Sequence, residues 1–257
     1  MDAERLLKLL RISVRECVAS SGSVAVAYSG GVDSALVERV ARECAETRAY
    51  TCAVRGSHDH SRAPTAAEEE GADLRMLALD EQGLMDAVRK TAAALGTSDP
   101  LRVAYTVPVV CVIDSCEESV VLVGSGADEL FGGYAKYADD AAVEASMERD
   151  LGKMLAEHAL LRGYASSLGK RLEAPFASPE IVSFAKSLPL DRKLGGGNRK
   201  AVLRDAARSL GVVSHDAPKK AAQYSSGVMK EMKRLAKARG MGLGAWTDEA
   251  AAGRRIP

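Results

Sequence analysis

The sequence has little of what would mark many classes of protein. It has no net charge, because 35 Lys and Arg balance 35 Asp and Glu over 257 residues. No overall field therefore points to nucleic acid or a membrane surface, and the strongly acidic surface of a high-salt protein is excluded. Aromatic residues make up only 4%, which suits a helix-rich, alanine-rich chain. The five cysteines (Cys17, Cys44, Cys52, Cys111, Cys116) are odd in number and contain no C-x-x-C pair. That argues against a disulfide framework or zinc knuckle and for a reducing cytoplasm. No apolar run is long enough to span a bilayer: VAYTVPVVCVI (103–113) is too short, and Pro108 is expected to break it. Near the N-terminus, residues 3–18 repeat apolar side chains at helical spacing with acidic residues between them. They read as a core-facing helix, not a targeting peptide. The expectation is a cytoplasmic protein with no membrane segment.

What is present is an alternation of strand-like and helix-like segments. SVAVAY (23–28), AYTCAVRG (49–56), DLRMLALD (73–80) and SVVLVG (119–124) read as strands. ALVERVARECAE (35–46), a segment near 63–71, and LMDAVRKTAAALG (84–96) read as the helices between them. Strands separated by helices of this length predict βαβ units and a parallel sheet, with ligands beyond the carboxyl ends of the strands. From about residue 138 onward the pattern is mostly helical. The predicted organisation is α/β: a Rossmann-like parallel sheet with flanking helices over 1–137, holding the nucleotide, and a helical extension over 138–257 that completes the site. The segment from Lys219 to Pro257 is basic, with nine Lys or Arg against three Asp or Glu.

Two loops carry the chemistry. Ser29-Gly30-Gly31-Val32-Asp33-Ser34 follows the first strand. Its glycines let the backbone turn and present N–H groups to an anion, and its serines add donors. It contains no lysine, unlike a Walker loop, and it does contain Asp33. That carboxylate repels phosphate unless a divalent cation bridges the two or it merely caps the following helix. Gly124-Ser125-Gly126-Ala127-Asp128-Glu129-Leu130-Phe131-Gly132-Gly133-Tyr134 follows the last strand, on the same rim of the sheet. Carboxylates facing a phosphate loop make sense as magnesium ligands. Alternatively, Asp128 and Glu129 open a helix at its favourable end, though this leaves Gly-Gly-Tyr unexplained.

SGGVDS followed by GADELFGGY resembles the synthetase domain of asparagine synthetases, within the S-G-G-x-D-S ATP pyrophosphatase family. RLEAPFASPEIVSFAKSLP (171–189), NRKAVLRDAA (198–207) and PKKAAQYSSGV (218–228) resemble later segments in the family's order: its Pro-Phe-Leu-Asp motif, its Lys-x-x-Leu-Arg helix and its lysine segment ending in Ser-x-Gly. The resemblance implies ATP and Mg2+ as cofactors. Nucleotide contacts fall at Ser29, Gly30, Gly31, Val32, Ser34, Val54, Gly124, Ser125 and Gly126, and the magnesium ligands are Asp33 and Asp128. It also implies that the missing lysine comes from Lys219 or Lys220, and the spacing leaves either open. The implied reaction is adenylation of a carboxylate, aspartate by default, followed by displacement of AMP by ammonia. The partners are then a small carboxylic acid and ammonia, the latter free or from a separate glutaminase subunit; a homo-oligomer also stays open.

Several positions depart from the family's pattern. The chain begins Met1-Asp2-Ala3, without the cysteine of a glutaminase domain, so the stand-alone synthetase type is expected. Ser125 stands where the family often has an acidic residue that handles the amine, Ser178 where it has Asp, and Ala217 where it has Arg. Two other functions fit less well: adenylation of a tRNA base, motivated by the basic tail, and non-catalytic ATP binding, motivated by Ser125. Elsewhere, His58-Asp59-His60 reads as a polar loop beside the nucleotide in preference to a zinc site. Arg171 and Glu173 read as an ion pair, Cys111 and Cys116 as packing residues.

Overall fold

The structure, a computed structural model, describes residues 1–19, 21–137, 141–194, 199–216 and 222–253. Five strands, β1 (Ser23–Ala27), β2 (Glu46–Val54), β3 (Leu74–Leu79), β4 (Val120–Leu122) and β5 (Arg171–Glu173), form one sheet in the order β3-β2-β1-β4-β5. Every neighbouring pair is parallel. Helices cover both faces, which is why β1 and β4 are unbroken apolar runs instead of alternating ones. Val24, Val26, Val120 and Leu122 pack into the core built with helices α1 (Asp2–Val18) and α2 (Val32–Ala41). Their neighbours Ala25 and Val121 join a separate core with Val110 and Ile113. Alternate residues of each strand thus serve opposite faces of the sheet.

The connections between the first four strands include α3 (His58–Glu70), α4 (Glu81–Leu95) and α5 (Pro100–Ser115). After β4 come the short α6 (Ala127–Phe131) and the long α7 (Val143–Ser167), then, after β5, α8 (Pro179–Ser187), α9 (Leu190–Leu194) and α10 (Ala201–Ser209). The chain continues with α11 (Ala222–Ser225), α12 (Val228–Ala238) and α13 (Leu243–Ala251). Val202 and Leu203 of α10 enter the same core as β1 and α1. Trp246 of α13 and Met232 of α12 bury themselves against Leu84 of α4.

The predicted α/β sheet and mostly helical second half are present, with three local differences. RLE, a segment without strand-like alternation, becomes the edge strand β5 because Val120–Leu122 offers it a parallel register. The segment after β2 is helical from His58, since the Ser57 hydroxyl caps it by accepting from His60 N. Pro108 does not break its run: α5 passes through it. Proline removes one i→i−4 bond, and here apolar burial against α4, α12 and β2 outweighs that loss. At the end of α5, Lys170 Nζ donates to the carbonyls of Ile113 (2.5 Å) and Cys116 (2.7 Å), placing a cation where the helix dipole favours one.

On α7, burial and the neighbouring Arg162 push the His158 imidazole down to about 4. Its unfolded value is about 6.5, so between these limits the unfolded chain binds the extra proton and stability falls as pH falls. His158→Phe is expected to remove about 2 kcal/mol of that loss between roughly pH 6.5 and 4. Urea midpoints of the two proteins across this range check it, and parallel pH profiles would contradict it.

Candidate active site

Because β1 and β4 are adjacent and parallel, the loops leaving their carboxyl ends emerge side by side. From this pair the chain proceeds outward through β2 and β3 on one side and to β5 on the other. Such a switch point opens a crevice beyond the strand ends.

In the first loop Gly30 and Gly31 make the turn, and Val32 begins α2 as a buried residue. The helix has Gly31 as its N-cap and no side-chain cap, so its first-turn N–H groups face the crevice unclosed by any side chain. The two serines brace the loop from within. Ser29 N donates to Ser34 Oγ (3.1 Å), Gly31 N donates to Ser29 Oγ (3.4 Å), and Ser34 Oγ donates to the Gly31 carbonyl (3.2 Å). Asp33 is therefore not the helix cap.

In the second loop Gly124, Ser125 and Gly126 connect β4 to α6, whose N-cap is Gly126. The loops touch at Gly124: a Cβ there would lie 3.1 Å from Asp33 Cβ and 3.2 Å from Ser34 N. A side chain at Gly124 would press on Asp33 and Ser34, so glycine lets the two loops pack this closely.

The cation between them is a residue to which the sequence reading gave no role. Lys200 is only 2% exposed. Its Nζ donates to Asp33 Oδ1 (2.6 Å) and Oδ2 (2.5 Å) and lies 2.6 Å from Asp128 Oδ1. Lys200 is the N-cap of α10, with φ 64° and ψ 37°, the left-handed conformation. That costs a non-glycine residue about 1 kcal/mol, so the surroundings must enforce it. Lys200 N donates to the Lys193 carbonyl (2.8 Å), and Arg204 N donates to the Lys200 carbonyl (2.8 Å). The Arg199 guanidinium donates to the Gly133 carbonyl (3.1 Å), joining the two segments. A signal was legible: Lys200 precedes Leu203 by three residues and Ala207 by seven, the buried face of α10. A lysine on such a face needs a partner.

Gly-Gly-Tyr now has a physical reason. A Cβ on Gly133 would stand 1.8 Å from Asp128 Oδ1 and 2.3 Å from Lys200 Cε. One residue on, the Tyr134 hydroxyl donates to Glu129 Oε1 (2.7 Å). Burial, with Glu129 and Asp128 close by, holds that phenol well above its ordinary range and keeps it a donor. Gly133→Ala is expected to force the Asp128–Lys200 pair apart and lower activity by about 10²-fold, as for a catalytic group displaced by about 1 Å. Steady-state turnover checks this, and a variant within twofold of wild type would contradict it.

Val54 ends β2, and its N–H donates to the Ser226 carbonyl (2.9 Å). Nearby, Ser225 Oγ donates to Asp59 Oδ2 (2.8 Å), while His58 Nδ1 lies 3.2 Å from Asp59 Oδ1. The carboxylate stands between the serine and the histidine, so this is a clamp and not a nucleophilic triad. It fastens the start of α3 to the end of α11. His58-Asp59-His60 is the first turn of α3, not a loop, and no group of three or more metal-binding side chains occurs among the described residues. Lys219 and Lys220 lie outside the described residues. Arg171 and Glu173 are 3.8 Å apart on the edge strand. Cys116 is buried, and Cys111 is half-buried beside the core of α4, α5 and α12.

Ser178, one of the departures, caps α8 by accepting from Ile181 N (3.4 Å). Serine and aspartate are nearly equivalent caps, so a change between them preserves this turn.

Two carboxylates converging on one cation, beside an uncapped helix N-terminus, are a suitable donor set for magnesium, which binds through one or two carboxylates and substrate phosphates. The ammonium of Lys200 marks where their charge converges.

Comparison with known proteins addresses the family of the chain. The sequence pattern of the asparagine synthase family matches residues 5–173. The chain is 29% identical over 280 aligned positions to a putative glutamine-hydrolysing asparagine synthetase of Methanocaldococcus jannaschii, covering 91% of this chain and 51% of that protein. It is 25% identical over 228 positions to asparagine synthetase B of Escherichia coli, covering 79% of this chain and 41% of that one. The chain thus spans about half the length of the curated relatives it matches. Among solved structures, it aligns with NMN synthetase from Francisella tularensis over all of its length and 87% of that chain, with a TM-score of 0.46 and 12% identity. No helix among the described residues is long and apolar enough to cross a membrane. The parallel sheet carries its glycine-rich loop between β1 and α2. A family match that begins in α1, takes in both rim loops and ends with β5 leads to one conclusion: the chain belongs to the asparagine synthase family.

Proposed function

We propose that this chain adenylates a small carboxylic acid with ATP and transfers the acyl group to ammonia, releasing pyrophosphate and then AMP. The observation that carries this reading is the Asp33–Lys200–Asp128 cluster at the junction of the β1 and β4 loops. The first turn of α2 receives the polyphosphate, held in shape by Ser29 and Ser34. Asp33 and Asp128 would hold magnesium, which when bound would supply positive charge to the phosphates. Lys200 supplies positive charge that the glycine-rich loop lacks, and Lys219 or Lys220 supplies more from the segment before the Ser225–Asp59 clamp.

In the first step a carboxylate oxygen bonds to the α-phosphorus, and the bond to the bridging oxygen breaks, leaving with pyrophosphate. In the second step the amine nitrogen attacks the acyl carbon, the acyl–oxygen bond breaks, AMP departs and the nitrogen sheds a proton. Ser125 cannot act as a carboxylate base for that proton, so another acceptor or solvent takes it. Aspartate is the default acid by family membership, with free ammonia or ammonia from a glutaminase subunit as the amine source.

The test is isotopic. With an 18O-labelled carboxylic acid as substrate, one 18O per turnover is expected in AMP, read by mass spectrometry. AMP free of label, or ADP as the product, would refute adenylation of the acid.

A further inference from the structure

On the other side of the GADELFGGY segment, a cavity of about 250 Å3 opens between α6, α7, α8 and α9. It is smaller than the pockets that hold drug-sized ligands, and so suits a small metabolite. Leu130, Met147 and Leu151 supply apolar wall. Lys193 of α9 lines the cavity and is only 5% exposed. Its ammonium has no hydrogen-bond or ion-pair partner among the described residues, which is rare for a lysine buried to this degree. Burial pushes that amine below the ordinary lysine range, and the field of Glu144 opposes the shift. A buried cation facing a cavity without a counter-ion calls for an anionic group from outside.

The remaining charges narrow the ligand. Glu144 lines the same cavity as an exposed residue with no ion-pair partner among the described residues, and Glu148 pairs with Lys186 (2.7 Å) at the margin. Glu129 lines it too and already accepts from Tyr134. The lining therefore carries three carboxylates against two lysines, and a simple anion would meet net repulsion. A molecule with a carboxylate for Lys193 and an ammonium for Glu144 satisfies both ends at once.

We propose that this cavity is a binding site for a small α-amino acid, its carboxylate on Lys193 and its ammonium toward Glu144. The site does not depend on the reaction assigned above. Its lining shares no residue with the Asp33–Lys200–Asp128 cluster, although Glu129 adjoins Asp128 in the chain and Lys200 N donates to the Lys193 carbonyl.

Equilibrium dialysis of the standard α-amino acids against the whole chain, without nucleotide or magnesium, tests it. At least one amino acid is expected to bind saturably at concentrations up to about 10 mM. Lys193→Met should weaken that binding by about tenfold or more, while Asp128→Asn leaves it intact. The same molecule lacking its α-amino group should bind much less. Lys193→Met removes a buried, unpartnered charge and is expected to melt no lower than wild type. Met147→Trp, which fills the cavity and keeps Lys193, should abolish binding as well. No binding by any amino acid, binding indifferent to Lys193→Met and Met147→Trp, or equal binding of the deaminated acid would overturn the proposal.

Discussion

Lys200→Met is expected to lower adenylation by about 10²–10³-fold, the loss that follows removal of one preorganised group from a developing negative charge. Methionine keeps the length and apolar stem of lysine and removes only the charge, so the buried path of the side chain stays filled. The nucleotide-free variant should show a second effect. Without the ammonium, the carboxylates of Asp33 and Asp128, each placed within 2.6 Å of Lys200 Nζ, lose the cation they share. Stability should fall by about 2 kcal/mol, less than the full penalty of a broken buried pair because both carboxylates are partly solvated. Millimolar magnesium should restore it in the variant and change wild type little. Thermal unfolding with and without the metal, beside single-turnover AMP formation, measures both effects. Near-normal turnover, or a loss of stability that magnesium does not recover, would contradict the role given to Lys200.

Asp128→Asn is expected to be as damaging to turnover, by about 10²-fold or more, with the opposite response to metal. This change removes a charge from the proposed metal pair and leaves Lys200 paired with Asp33 through 2.5 and 2.6 Å contacts. The magnesium concentration that half-saturates activity should therefore rise by about tenfold, whereas in Lys200→Met the nucleotide-free protein should gain affinity for the metal. A magnesium titration of the initial rate separates the two variants. The same half-saturating concentration for Asp128→Asn and wild type would remove Asp128 from the metal pair.

The rim loops were legible in the sequence because their information is local. A buried apolar strand followed by glycines fixes a turn and a helix start, and this placed SGGVDS and GADELFGGY beyond the same edge of a parallel sheet. Their distance from each other was not legible. It depends on β4 pairing directly with β1 and on Gly124 having no side chain to hold the loops apart. The role of Lys200 escaped notice for a related reason, although its segment resembles the family's Lys-x-x-Leu-Arg helix. Its ammonium finds its partners 167 positions away, at Asp33, so no short motif contains the interaction. Ser178 stands out in the sequence only as a departure from the family's Asp, and its place at the start of α8 makes it a helix cap. β5 is three residues whose strand character comes wholly from the neighbour they pair with.

The central claim is that the Asp33–Lys200–Asp128 cluster serves transfer of an adenylyl group to a carboxylate. ATP–pyrophosphate exchange with magnesium tests it most directly, screened over aspartate, other amino acids, simple carboxylic acids and bulk tRNA. The predicted result is exchange that requires magnesium and one class of small carboxylic acid, is indifferent to tRNA, and disappears in Lys200→Met. Exchange that depends on tRNA and ignores every acid, or acid-dependent exchange that survives Lys200→Met unchanged, would contradict it.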